Sequence, residues 1–282
     1  MIARSSPCEE PSGLRTTPVD GTLAPETAAF YRSMIEALRS TDVPFLVGGA
    51  YAFARYTGIE RHTKDFDVFV RESDVERTLA ALGRAGCVTE LTFPHWLGKA
   101  YCGDDFIDVI FSSGNGLVSV DEEWFAHAVA EEVLGLLVKL VPAEEMLWSK
   151  AFVMERERYD GADITHLLRA TAAVLDWPRV LRRFGEHWRV LLSHLILFGY
   201  VYPAEARQIP DWLLRDLLRR VGDEIVAPAQ PERICRGPFI SRAQYLIDIE
   251  EWGYRDPRLH TNGGPMTRSE VRHWTAAIDT ID

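Results

Sequence analysis

Cysteine is scarce in this 282-residue chain: Cys8, Cys87, Cys102 and Cys235 match neither a zinc-site spacing nor a disulfide framework. That scatter predicts a reduced, cytoplasmic protein. No apolar run reaches the roughly 20 residues that a bilayer-spanning helix needs. The longest, from Val190 to Tyr202, is broken by Ser193 and His194 and reads as a core helix. The first residues lack the apolar stretch of a secretory signal, and their Pro, Ser and Glu content predicts a disordered leader over 1–25. Positive charge is short as well. Lys and Arg number 31 against 42 Asp and Glu, a formal net charge of -11, which argues against a surface coated for nucleic acid. The Gly-rich loop ending in Lys-Ser/Thr is missing, so an ordinary P-loop NTPase is excluded. No internal repeat is present.

What is there suits a packed globular chain: 47% hydrophobic, 26% charged and 11% aromatic residues. At this length two packed lobes are expected. Apolar spacing predicts a helix over 26–40, a short buried strand over 43–47, a turn at Gly48-Gly49 and a helix over 50–56. A strand over 65–70 follows, then a helix over 74–84 capped by Ser73 and closed by Gly86. Further strands are expected over 88–93, 98–102, 106–111 and 133–140, with Gly103-Asp104-Asp105 as a hairpin turn. From Pro142 the period becomes helical, over 143–159, 164–176, 179–197, 212–221 and 242–252, and beyond Arg258 the pattern is weak. The expected class is therefore α+β: a sheet domain flanked by helices over 26–142 and a helical lobe over 143–282.

Asp65 and Asp67 alternate with Phe66 and Val68, so both carboxylates leave one face of a strand. Phosphoryl-type transfer needs divalent cations held by oxygen ligands. Two aspartates at i and i+2 can hold one ion and share a second with a third carboxylate from a neighbouring strand. Asp108, between Ile107 and Val109, is the candidate, because a carboxylate there is costly to bury without a cation or a donor. A salt-bridged Asp108 is the competing reading. Asp104 and Asp105 are rivals that a turn role explains without a metal. Gly48-Gly49 lets the backbone approach a phosphate, and the helix after it offers free N–H groups. Two glycines after a strand also mark a plain tight turn.

Taken in order, a strand, Gly48-Gly49-Ala50, a helix, Arg61-His62-Thr63-Lys64-Asp65-Phe66-Asp67-Val68 and a later in-strand Asp resemble the polymerase beta-like nucleotidyltransferase superfamily, in its minimal, toxin-type bacterial form. The match covers about residues 43–111. The resemblance implies a small mixed sheet, two Mg2+ ions and a nucleoside triphosphate (NTP) as substrate. It also implies transfer of a nucleoside monophosphate to a hydroxyl acceptor, with release of pyrophosphate. It gives the triphosphate to Gly48 and Gly49, the metals to Asp65 and Asp67, and a metal plus activation of the acceptor hydroxyl to Asp108. It extends more weakly over 144–168, where Lys150 would touch a nucleotide phosphate and Asp160 and Asp163 are lesser candidates. A solvated helix lysine is the plainer reading of Lys150, and a helix cap that of Asp163. Arg61 and Lys64 flank the aspartates as further phosphate contacts. His62, His95 and Trp96 stay outside the site, since the metal chemistry needs no histidine and packed aromatics are common.

The acceptor is left open between RNA or tRNA, a small hydroxylated molecule such as an antibiotic, and a protein. Residues 179–242 hold eleven arginines and no lysines against seven Asp and Glu, a local charge of about +4. A basic groove there would suit tRNA, and an acidic pocket would suit a cationic drug. The alternative from another class is a catalytically silent nucleotide-binding protein or a toxin with an antitoxin partner. Intact Asp65, Asp67 and Asp108 speak against it.

Overall fold

The computed structural model of the chain describes residues 23–61, 65–228 and 232–277. Lys64, and the expected leader up to residue 22, lie outside the described residues. Helix α1 (Pro25–Arg39) starts on a proline and turns Tyr31, Met34, Ile35 and Leu38 inward at helical spacing. Strand β1 (Leu46–Val47) is wholly buried and runs straight into α2 (Gly49–Thr57), which Gly58 ends in the left-handed conformation at φ 72°. In β2 (Asp65–Phe69) buried Phe66 and Val68 alternate with Asp65, Asp67 and Phe69. Next come α3 (Val75–Arg84), β3 (Val88–Phe93), β4 (Leu97–Cys102), β5 (Asp105–Ile110), α4 (Glu122–His127), β6 (Val129–Val133) and β7 (Leu136–Leu140). Among the described residues the strands form one seven-stranded sheet in the order β3-β4-β5-β2-β1-β7-β6. β2 with β5 and β1 with β7 are parallel, and the other neighbours are antiparallel. The class is thus α+β with a mixed sheet, as expected.

The sheet has two unlike faces around β2 and β5. On one, Phe66, Val68, Ile107 and Val109 have no exposed surface and pack with Tyr31, Leu38 and Leu82 from α1 and α3. Burying each such side chain stabilises by roughly 1.5–3 kcal/mol. On the other face Asp65, Asp67 and Asp108 border a cleft. Apolar residues at alternate positions leave no choice about which face goes in, because a slip of one residue would bury the acids and expose the core.

Helices dominate the rest: α5 (Ala143–Lys150), α6 (Gly161–Thr171), α7 (Trp177–Phe184), α8 (Trp188–Val201), α9 (Asp211–Val226), α10 (Leu246–Glu250) and α11 (Arg268–Ala276). Several expected boundaries are corrected. The strand expected over 133–140 is a hairpin, with Leu134 at φ 50° and Gly135 at φ 76° making the turn. The helix expected over 143–159 stops at Lys150, because Glu155 is drawn away to Ser241 Oγ at 2.7 Å and the backbone at Arg242 at 3.1 Å. The helix expected over 179–197 breaks at Gly185, whose φ is 49°. Ser73 caps nothing. It lies in a 3-10 turn, and α3 starts at Val75, after buried Asp74, which Arg71 and Arg77 hold. The helix expected over 242–252 shrinks to α10. α4 and α11 were not anticipated, although α11 carries a Thr267–Glu270 capping box, a signal legible in the sequence. α11 returns to the sheet edge, with Trp274 packed edge-on against Phe93 and Trp96 at ring distances of 5.3 and 5.2 Å.

Candidate active site

The parallel register of β2 and β5 sets Asp67 beside Asp108 and Asp65 beside Phe106. Residues in register on neighbouring strands share a face, so the three carboxylates converge. One oxygen from each lies within 4.8 Å of the others, and among the described residues this is the one group of acids, histidines or cysteines placed to hold a metal ion. Such crowding has an electrostatic cost. Burial, then the charges of Asp65 and Asp108, push Asp67 up to about 7, against the pull of Lys150 and Arg158. Burial also raises Asp108, opposed by Lys99 and reinforced by Asp65.

The glycine pair is required by close approach as well as by the turn. Gly49 sits at φ 54°, and a Cβ there would fall 1.6 Å from Asp67 Oδ2. A Cβ on Gly48 would fall 2.2 Å from the Phe69 ring, and its N–H donates to the Asp67 carbonyl at 3.0 Å. The start of α2 is therefore pressed against the second aspartate. Free N–H groups at a helix start favour an anion nearby.

The cleft over these residues has a volume of about 340 Å³. Of the sequence candidates, Gly49, Asp65, Asp67, Asp108, Lys150 and Asp160 line it, while Gly48, Arg61 and Asp163 do not. Lys150 donates to Asp160 at 2.9 Å and to Asp163 at 2.7 Å, so it is no free surface lysine. Burial works to raise Asp160, but Arg158 and Lys150 outweigh it and hold its carboxyl below the usual range. Asp163 is not a cap. α6 starts at Gly161, and Asp163, inside its first turn, binds Lys150 and Arg61, the latter at 2.5 Å. Arg61 lies over the Phe53 ring at 4.7 Å and is spent on Asp163.

Sequence reasoning missed several lining residues. Trp96, set aside as a packed aromatic, is packed on Phe93 at 5.7 Å and also walls the cleft with Trp274 and Arg242. Lys99, which does not line the cleft but reaches Asp108, was missed altogether, because only the β4–β5 register, which pairs it with Asp108, reveals it. Its Nζ lies 2.6 Å from Asp108 Oδ1, so the carboxylate that stands with Asp65 and Asp67 is also salt-bridged. Asp105 starts β5 and accepts from Thr27 Oγ1 at 3.0 Å, apart from the cluster. His95 bonds the Gly114 carbonyl at 3.0 Å.

No family model matches the chain, and no curated protein matches it. Solved nucleotidyltransferases resemble it. The antibiotic-resistance factor ANT(2'')-Ia, in a solution structure, has a TM-score of 0.43 at 16% identity over 60% of this chain and 96% of its own. A crystal structure of ANT(2'')-Ia with adenylyl-2''-tobramycin gives 0.36 at 14% identity over 63% and 99%. The lincosamide antibiotic adenylyltransferase LnuA, bound to lincomycin, gives 0.38 at 13% identity over 53% and 99%. These likenesses are distant, and the functional reading rests on the residues themselves. An all-carboxylate donor set is the kind that hard divalent cations take, and a cation there would offset the burial and the like charges that raise Asp67. The residues present therefore fit Mg2+.

Proposed function

We propose that this protein is a magnesium-dependent nucleotidyltransferase that moves a nucleoside monophosphate from an NTP to the hydroxyl of a small acceptor and releases pyrophosphate. One observation carries the reading: Asp67 and Asp108 stand side by side in register, with Asp65 on the same open face and Gly49 pressed against Asp67. Asp65, Asp67 and Asp108 would hold the metal. When bound, a divalent cation supplies charge neutralisation at the reacting phosphate and the leaving group. The main chain at Gly49 would take the triphosphate, the Gly48 N–H being given to the Asp67 carbonyl, and Lys150, Arg61 and Lys64 are its cationic candidates. Lys150 fits best, since it lines the cleft and Arg61 does not. Asp108 would take the acceptor hydroxyl's proton as that oxygen bonds the α-phosphorus and the bond to pyrophosphate breaks. Residues 26–142 would form the catalytic domain and 143–282 a helical lobe that shapes acceptor choice, in a cytoplasmic protein. Among the described residues no helix is long and apolar enough to cross a membrane.

Charge favours a small, neutral or cationic acceptor over RNA. The cleft is lined by six carboxylates, Asp65, Asp67, Asp108, Glu155, Glu157 and Asp160, against Lys150, Arg158 and Arg242. Nine of the eleven arginines of 179–242 pair with carboxylates, leaving little positive surface for a phosphate backbone. The test is transfer of label from each α-labelled NTP with Mg2+, to tRNA and to a panel of hydroxylated amines, in the parent and in Asp67→Ala. Label should pass to a small acceptor in the parent alone. Nucleotide binding without transfer would leave a binding protein, and the absence of both would end the proposal.

A further inference from the structure

Lys99 lies directly across from Asp108 in the antiparallel register of β4 and β5, so its side chain leaves the same face as the three carboxylates. Its side chain is only 20% exposed, and Nζ sits 2.6 Å from Asp108 Oδ1 and 4.3 Å over the Phe106 ring. Phe106 is in turn the register partner of Asp65. The ammonium is thus wedged into the acidic face by a strand on one side and an aromatic ring on the other. A second carboxylate was within choice: Glu90 is the cross-strand neighbour of Lys99 on β3. Glu90 instead accepts from Tyr101 at 3.0 Å and Thr92 at 2.9 Å, and Lys99 goes to Asp108. The residue type is also unusual for this chain, which has four lysines among its 31 basic residues. An ammonium is a compact point charge, closer to a metal ion in size and reach than a planar guanidinium.

We propose that Lys99 stands in for one of the two divalent cations: the acidic face, with a nucleoside triphosphate bound, holds a single metal ion, and the Lys99 ammonium neutralises Asp108. A second divalent ion on Asp108 would have to share that carboxylate with a cation already at bonding distance, one that the Phe106 ring face also attracts. The proposal rests on the nucleotidyltransferase reading and departs from the pair of ions that the sequence resemblance implies.

Counting Mn2+ bound at saturation in the complex with a non-hydrolysable NTP analogue tests it, with free Mn2+ read by its paramagnetic resonance signal. The parent should bind one Mn2+ per chain, Lys99→Arg one, and Lys99→Met two, with circular dichroism confirming that each variant is folded. Two ions in the parent would overturn the proposal, whatever the variants do. One ion in a folded Lys99→Met would overturn it as well, since the lysine would then not be what limits the count. No Mn2+ in the parent complex would sink the metal site itself and with it the nucleotidyltransferase reading, a result distinguishable from a count of two. Asp67→Ala, which should lose the ion, fixes the zero of the measurement.

Discussion

Around α7 to α9 most charges are matched in pairs, whereas on the open face of β2 and β5 like charges are gathered together. Arg183 meets Asp121, Glu123 and Glu145, and Arg219 bridges Asp216 and Asp223. Arg179, almost wholly buried, pairs with Glu144 and lies 3.7 Å from Glu145. Three carboxylates of the sheet, by contrast, crowd within 4.8 Å of one another, with Lys99 acting on Asp108 and Lys150 and Arg158 on Asp67 as compensation. The first arrangement stabilises the fold. The second costs stability, and such a cost is retained where a ligand is to relieve it.

Substitutions can break this contrast, and the largest effect is expected at its centre. Asp67→Ala should cut nucleotidyl transfer by roughly 10³-fold or more, the scale of losing an electrostatic group at a reacting centre, while the melting temperature without metal does not fall. A variant that melts early would show that Asp67 serves the fold. Arg179→Ala should destabilise by about 3–5 kcal/mol in urea unfolding, because it strands the buried charges of Glu144 and Glu145. Gly49→Ala should lower transfer by about 10²-fold, since displacing a reacting group by an ångström costs that much, and should cost about 1–3 kcal/mol for a side chain at positive φ.

The pH dependence in chelator is a gentler probe. Asp67 is raised from 3.8 to about 7, so the fold favours its protonated form, and the stability present below about pH 4 is lost as pH rises through 7. The parent should therefore melt lower at pH 8 than at pH 5 by an amount that Asp67→Asn removes, and Mg2+ should restore stability at pH 8. Smallest of all, Arg219→Ala should change stability by less than about 0.5 kcal/mol and leave transfer intact, as for an exposed ion pair. A large loss of tRNA binding in that variant would instead revive the basic-groove reading.

Much of the site was legible because its signals are local. The alternation of Asp65 and Asp67 with buried Phe66 and Val68 needs only the period of a strand, and the glycine pair needs only a turn. Helix ends were harder to place. Gly185 breaks a continuous apolar pattern, and Glu155 leaves the end of α5 for a partner far along the chain. Lys150 read equally well as a surface lysine until Asp160 and Asp163 were seen to enclose it. The local excess of arginine over 179–242 suggested a basic face, yet its partners come from residues 121–155 as well as from its own helices.

Composition, apolar period and the spacing of two aspartates by themselves determined the α+β class, the burial of one sheet face and the acidic character of the other. Tertiary structure alone decided that Asp108 stands beside Asp67, that Lys99 reaches it, that Trp274 returns to wall the cleft and that the arginines are spent on carboxylates. The physical reason is that periodicity is a property of neighbours in the chain. Register and charge pairing are agreements between segments far apart, which form only when the strands and helices meet.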